Sequence, residues 1–171
     1  TSAPIAQQRL LIDLQDLDSH LARLRHERKH LPVLTRIEAV IERLKANKRA
    51  AIRAEAALDE AKKQATRSED EVGQVVRRAE VLRERLHSGS SAARDLSAIQ
   101  GEIDQLGQRQ SALEEAQIVA MEALDSARQE AERLSQEEAE IRAAGRELTA
   151  KRDAEFARLD EEIESLENQR A

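Results

Sequence analysis

His26-Glu27-Arg28-Lys29-His30 is the stretch whose side chains come nearest to a catalytic pattern. In H-E-x-x-H metalloproteases, two histidines one helical turn apart hold zinc and the glutamate acts as base. Here the five residues sit on a charged stretch just before Leu31-Pro32, with no third ligand at a familiar spacing and no aromatic cleft around them. A solvated basic segment that matches by chance is the expectation, with an adventitious metal between His26 and His30 ahead of peptidase chemistry. No Ser/His/Asp or paired-carboxylate constellation has a cleft to work in, so no enzyme is expected.

Two further groups of side chains point to binding. Arg23, Arg25, Arg28 and Lys29 form one basic cluster, and Arg43, Lys45, Lys48, Arg49 and Arg53 form another. Lysine and arginine clusters can track the phosphates of RNA or DNA. Yet Phe156 is the only aromatic residue, so bases would find no stacking platform. A salt-laced solvated face is the expectation, and nucleic-acid contact by Arg43, Lys45, Lys48, Arg49 and Arg53 is kept as the alternative. The stretch His87-Ser88-Gly89-Ser90-Ser91-Ala92-Ala93 lacks the Gly-x-x-x-x-Gly-Lys frame of a phosphate loop and reads as a turn between helices. Loops carry binding residues disproportionately, so Ser88, Gly89, Ser90, Arg94 and Asp95 are the candidates for docking a protein partner.

The elements that hold these residues are helical from end to end. The chain has 171 residues, 36% of them charged, with five glycines, two prolines and no cysteine. Such a profile suits long helices or a coiled coil better than a compact core. Without cysteine there is neither a disulfide framework nor a thiolate metal site, and no cofactor is expected. No apolar run approaches the roughly 20 residues needed to span a bilayer, and the N-terminal residues lack a signal-peptide apolar region. A cytoplasmic protein without membrane contact is the expectation. The net charge of −6 gives no general attraction to nucleic acid. Residues 1–86 carry a net +4 and residues 87–171 a net −10, so two halves folded on each other would attract.

Apolar residues step in heptads. Leu10, Leu14, Leu17, Leu21, Leu24 and Leu31 form one run, with Arg28 taking one slot, and Pro32 interrupts it. Proline removes an amide donor and clashes with the preceding turn, so a break or kink belongs there. A second run goes from Val33 through Asn47 and Leu58 to Leu86, and its middle is thin because alanine fills it. After the turn a third run goes from Leu96 through Gln110, Glu138 and Gly145 to Leu148, then shifts by one residue to Thr149, Arg152, Phe156, Leu159, Ile163 and Leu166. Ser2 and Ser91 read as helix caps. Pairing the runs about the turn gives residue numbers that total 181 or 182, from Leu86 with Leu96 to Val33 with Leu148. Below Pro32 the expected total is 180, as in Leu24 with Phe156 and Leu14 with Leu166.

The expected fold is therefore all-α: a long kinked antiparallel coiled-coil hairpin forming one domain. Arm one covers 4–86 with the break at 32, the tip about 87–93, and arm two 94–170. A monomeric hairpin is favoured over a strand-exchanged dimer.

The tip and the opening resemble a family of bacterial coiled-coil proteins that carry a C-terminal four-cysteine zinc ribbon. The residues are Gly89-Ser90-x-x-Ala93-Arg94-Asp95-Leu96-x-x-Ile99-Gln100-x-Glu102-Ile103 and Leu10-Leu11-x-x-Leu14-Gln15-x-Leu17-Asp18, with the Leu31-Pro32 pair. The resemblance implies a kinked hairpin with a ribbon at the joined ends of its arms. It also implies links to flagellar or type III secretion assembly, to the alternative sigma factor sigma-54, and to RNA. The ribbon is expected beyond residue 171. Its cysteines are absent from these residues, so zinc is carried over to none of them. A non-enzymatic interaction scaffold or chaperone-like module is the function the resemblance favours, with nucleic-acid binding as the alternative.

Overall fold

The structure is a computed structural model that describes residues 2–89 and 92–170, of which the side chains of Ser2 and Ala3 are not described. Three helices follow one another: α1 (Ser2–Lys29), α2 (Pro32–Ser88) and α3 (Ala93–Arg170). The expected caps Ser2 and Ser91, and the tip residue Ser90, lie outside the described side chains.

Contacts divide the chain into two compact units. The first contains residues 1–48 and 137–171, and the second contains residues 49–136. In each, an ascending helix packs antiparallel on a descending one.

In the second unit the heptad positions are the covered ones. Ala54, Leu58, Val75, Ala79 and Leu82 of α2 are buried, as are Ile103, Ala120 and Leu134 of α3. The remaining expected seam residues, including Ser68, Gln110 and Gln117, are half-buried. An ion pair crosses the helices, Arg78 to Glu102 at 3.2 Å. The connection is tighter than 87–93, because α2 continues through Ser88 and α3 resumes at Ala93. Gly89 ends α2 with φ at 65°, a left-handed conformation that glycine adopts without a Cβ penalty. Ser88 donates its hydroxyl to the Arg85 carbonyl at 2.9 Å. On the far side, the Leu96 amide donates to the Ala92 carbonyl at 3.0 Å.

In the first unit, α1 stops at the expected place. The residue before a proline disfavours the helical region, and Pro32 becomes the first residue of α2, where its missing amide is no loss. The His30 amide donates to the carbonyls of His26 and Glu27, both at 3.1 Å. Leu31 serves as cap, its carbonyl accepting from the Leu34 amide at 3.0 Å. Around this break lies a cluster of Leu24, Leu31, Val33 and Leu159, against which Phe156, Ile163, Leu166 and others pack. Asn47, expected on the seam, is buried.

Below the break the register differs from the expected total of 180. That total would put Arg28 level with Arg152 and Asp18 level with Glu162. Instead Arg28 bonds Asp160 at 2.7 Å and Arg170 reaches Asp18 at 3.2 Å. Arg158 approaches Glu27 at 3.5 Å, and Arg25 bonds Glu167 at 2.6 Å. All four partners lie farther along α3, centred on a slide of about one heptad. Such a slide keeps every seam residue on the seam, so Leu24 meets the level of Ile163 in place of Phe156. Part of the advance comes from His30 and Leu31, which lie outside the helices. Non-helical residues climb roughly 3.3 Å each against about 1.5 Å in a helix. The slide also carries the slots opposite Leu14 and Leu10 past Arg170. Leu14 is accordingly 37% exposed and Leu10 62%.

Candidate functional site

The residues with chemistry do not converge on one centre. His26 and His30 are stacked, with ring centroids 4.1 Å apart. The His30 Nδ1 lies 2.8 Å from the His26 carbonyl, so this ring closes the last turn of α1. Glu27, which a peptidase would need as base, approaches Arg158. No group of three or more histidine, cysteine, aspartate or glutamate side chains among the described residues is placed to hold a metal ion.

Two of the four residues of the first basic cluster, Arg25 and Arg28, are paired with carboxylates of α3. Arg28 makes two hydrogen bonds to Asp160, at 2.7 and 3.3 Å, and its guanidinium carbon stands 4.2 Å above the Phe156 ring. Arg25 is held by Glu167. These contacts turn a basic stretch into a register clamp.

The second cluster remains open to solvent. Arg43, Lys45 and Lys48 belong to the first unit and Arg49 and Arg53 to the second, and all five are exposed. Lys45 approaches Glu42 at 3.4 Å, whereas the other four make no ion pair among the described residues. Two residues along a helix is about 200° of rotation, so Arg43 and Lys45 leave the helix in opposite directions.

At the tip, Ser88, Gly89, Arg94 and Asp95 are exposed. Asp95 lies in the first turn of α3, where a carboxylate favours the helix dipole. Neither Arg94 nor Asp95 makes an ion pair among the described residues, unlike the crossing pairs farther down.

One feature has no counterpart in the sequence-based expectations. Within the first unit, α2 and α3 leave an open groove of about 750 Å³ between Ile37–Leu44 on one side and Ile141–Asp153 on the other. Gly145 occupies a seam slot there, and a Cβ on it would stand 3.4 Å from Val40 Cγ1. A glycine among leucines and isoleucines was the signal in the sequence for a close approach in the seam, here by Val40.

Residues 14–171 match the CT398-like coiled coil hairpin domain. The chain belongs to that family. It is 35% identical over 190 residues to the uncharacterized protein Rv2229c of Mycobacterium tuberculosis, with 99% of this chain and 77% of that protein covered. The same figures hold for the uncharacterized protein MT2288 of another strain of that species. A solved structure from Mycobacterium smegmatis superposes with a TM-score of 0.78 at 26% identity, over 97% of this chain and 69% of the other. The all-helical coiled-coil hairpin is thus a family property, and it is not a typical enzyme fold. No helix among the described residues is long and apolar enough to cross a membrane.

Proposed function

We propose that the chain is a non-enzymatic scaffold that docks a protein partner at its tip. The observation that carries this reading is the pair Arg94 and Asp95, exposed beside Ser88 and Gly89, with no ion pair on either among the described residues. Opposite charges left unpaired at a helix end can recognise complementary charges on a partner, which favours specificity and encounter rate. The resemblance to zinc-ribbon coiled-coil proteins supports the same reading, with the hairpin as the arm of such a protein. A pull-down with the partner as prey tests it: Arg94→Ala with Asp95→Ala loses the partner while the helical circular dichroism is unchanged. Retention of every partner by that double variant overturns tip docking.

The second reading, RNA or DNA held by basic residues, rests on Arg43, Lys48, Arg49 and Arg53 being exposed and free of ion pairs among the described residues. Their divergent directions on α2 weigh against it. Binding that weakens with salt and falls on Arg49→Glu with Arg53→Glu supports it; absent or salt-insensitive binding removes it.

A further inference from the structure

The groove of the first unit has two unlike walls. On α2, Ile37, Ile41 and Leu44 recur at helical spacing and give an apolar stripe. Ile41 is 47% exposed while Ile37 and Leu44 are half-buried, so the stripe is open to solvent at its middle. On α3, Arg142 and Arg146 stand one turn apart along the opposite edge, with Arg152 beyond them. Glu138 holds Arg142 at 3.0 Å and Asp153 holds Arg152 at 3.1 Å. Arg146 makes no ion pair among the described residues. Ile141, Gly145 and Val40 line the groove between these walls, and Val40 packs close against Gly145, where a Cβ would stand 3.4 Å from its Cγ1.

From this geometry we infer that the groove is a docking site for an acidic amphipathic helix of a partner protein. An amphipathic helix laid in a groove reads its host through apolar anchors at i, i+3, i+4 and i+7, and the α2 stripe offers a matching row of about two turns. The opposite wall sets the charge. With Glu138 paired to Arg142 and Asp153 to Arg152, the groove edge keeps one net positive charge, at Arg146, on a chain that is −6 overall. The unspent cation at Arg146 gives a carboxylate on the incoming helix a partner at the edge of the apolar stripe. Charge at such an edge sets orientation and partner choice, while the buried anchors supply the affinity. A basic helix would face the arginines with like charge, and an extended peptide would find no sheet edge to join.

This inference rests on reading the chain as a docking scaffold, but it uses a different surface from the tip. The probe is a fluorescein-labelled 15-residue peptide with leucine at i, i+3, i+4 and i+7, glutamate at the positions flanking them and alanine elsewhere to favour the helix. Its control has lysine in place of glutamate. Fluorescence anisotropy with the full chain is expected to show saturable binding of the glutamate peptide, weakening as salt rises, and none of the lysine peptide. Ile41→Glu and Arg146→Glu should each weaken it by about tenfold or more. Both residues face solvent, so unchanged circular dichroism certifies that each variant is folded. Arg94→Ala with Asp95→Ala should leave peptide binding intact, which separates failure of the groove from failure of the tip. No saturable binding, equal binding of the lysine peptide, or indifference to Ile41→Glu overturns the inference. So does sedimentation showing self-association that Ile41→Glu abolishes, because the occupant would then be a second copy of this chain.

Discussion

Leu159 is the residue on which the first unit should depend most. It is 0% exposed, beside Leu24, Leu31 and Val33, at the level where α1 ends. Replacing it with alanine removes a buried leucine side chain and leaves a void between helices. Leucine-to-alanine changes in cores cost about 2–5 kcal/mol, the lower end applying where neighbours can collapse into the gap. A two-helix seam has fewer layers around the void than a globular core, so about 2–3 kcal/mol is expected. For a chain of this length that is a fall in melting temperature of roughly 4–12 °C. Thermal and urea unfolding followed by circular dichroism measure it. Leu10→Ala is the control, because Leu10 is 62% exposed and should change stability by no more than about 0.5 kcal/mol. Equal effects of the two substitutions, or a Leu159→Ala cost below about 1 kcal/mol, would refute the account of the break as a packed cluster.

Register can be read directly: spin labels at positions 28 and 160 should lie closer together than labels at 28 and 152, and the reverse order restores the total of 180. Labels at Leu58 and Leu124, at high dilution, should report a short distance from one molecule; loss of that distance on dilution with unlabelled chain indicates strand exchange between two copies. Gly89→Ala places a Cβ on a left-handed residue and should cost about 1 kcal/mol in urea unfolding; no change would mean the turn relaxes freely. The hydrogen bond from Arg133 holds the Glu130 carboxyl below its ordinary range. A depressed folded-state value contributes stability that is present above the unfolded value and lost as pH falls through the folded one. An NMR titration should therefore show Glu130 titrating low and Arg133→Ala returning it upward.

Much of this fold is legible in the residues themselves. Heptad spacing identifies the covered face from Val33 to Leu86 and from Leu96 to Leu166, including awkward members such as Asn47 and Arg152. Pro32 and Gly89 mark the two places where the chain leaves a helix, each through its own backbone restriction. Register below the break was not legible, because a pattern that repeats every seven residues fits equally well after a slide of seven. Side-chain charge breaks that tie: Arg28 finds Asp160 and Phe156 together only in the slid alignment. The groove escaped notice for another reason. Ile41 lies off the seam and reads as an ordinary surface isoleucine until the structure sets it on the same groove as Arg142 and Arg146. The tip was legible as a break between two helices near Gly89, whereas the charges of Arg94 and Asp95 in the first turn of α3, unpaired among the described residues, required the structure.

The clamp at Arg28 and the break at His30–Leu31 together make arm length a quantised property. Adding seven residues between the clamp and the break would keep the same helix face on the seam and move Arg28 one heptad along α3 from Asp160. Adding one or two would rotate Leu21 and Leu24 out of the interface and strip Arg28 from its acceptor. Insertions there are thus expected to be tolerated in whole heptads and to destabilise the arm in fractions of one.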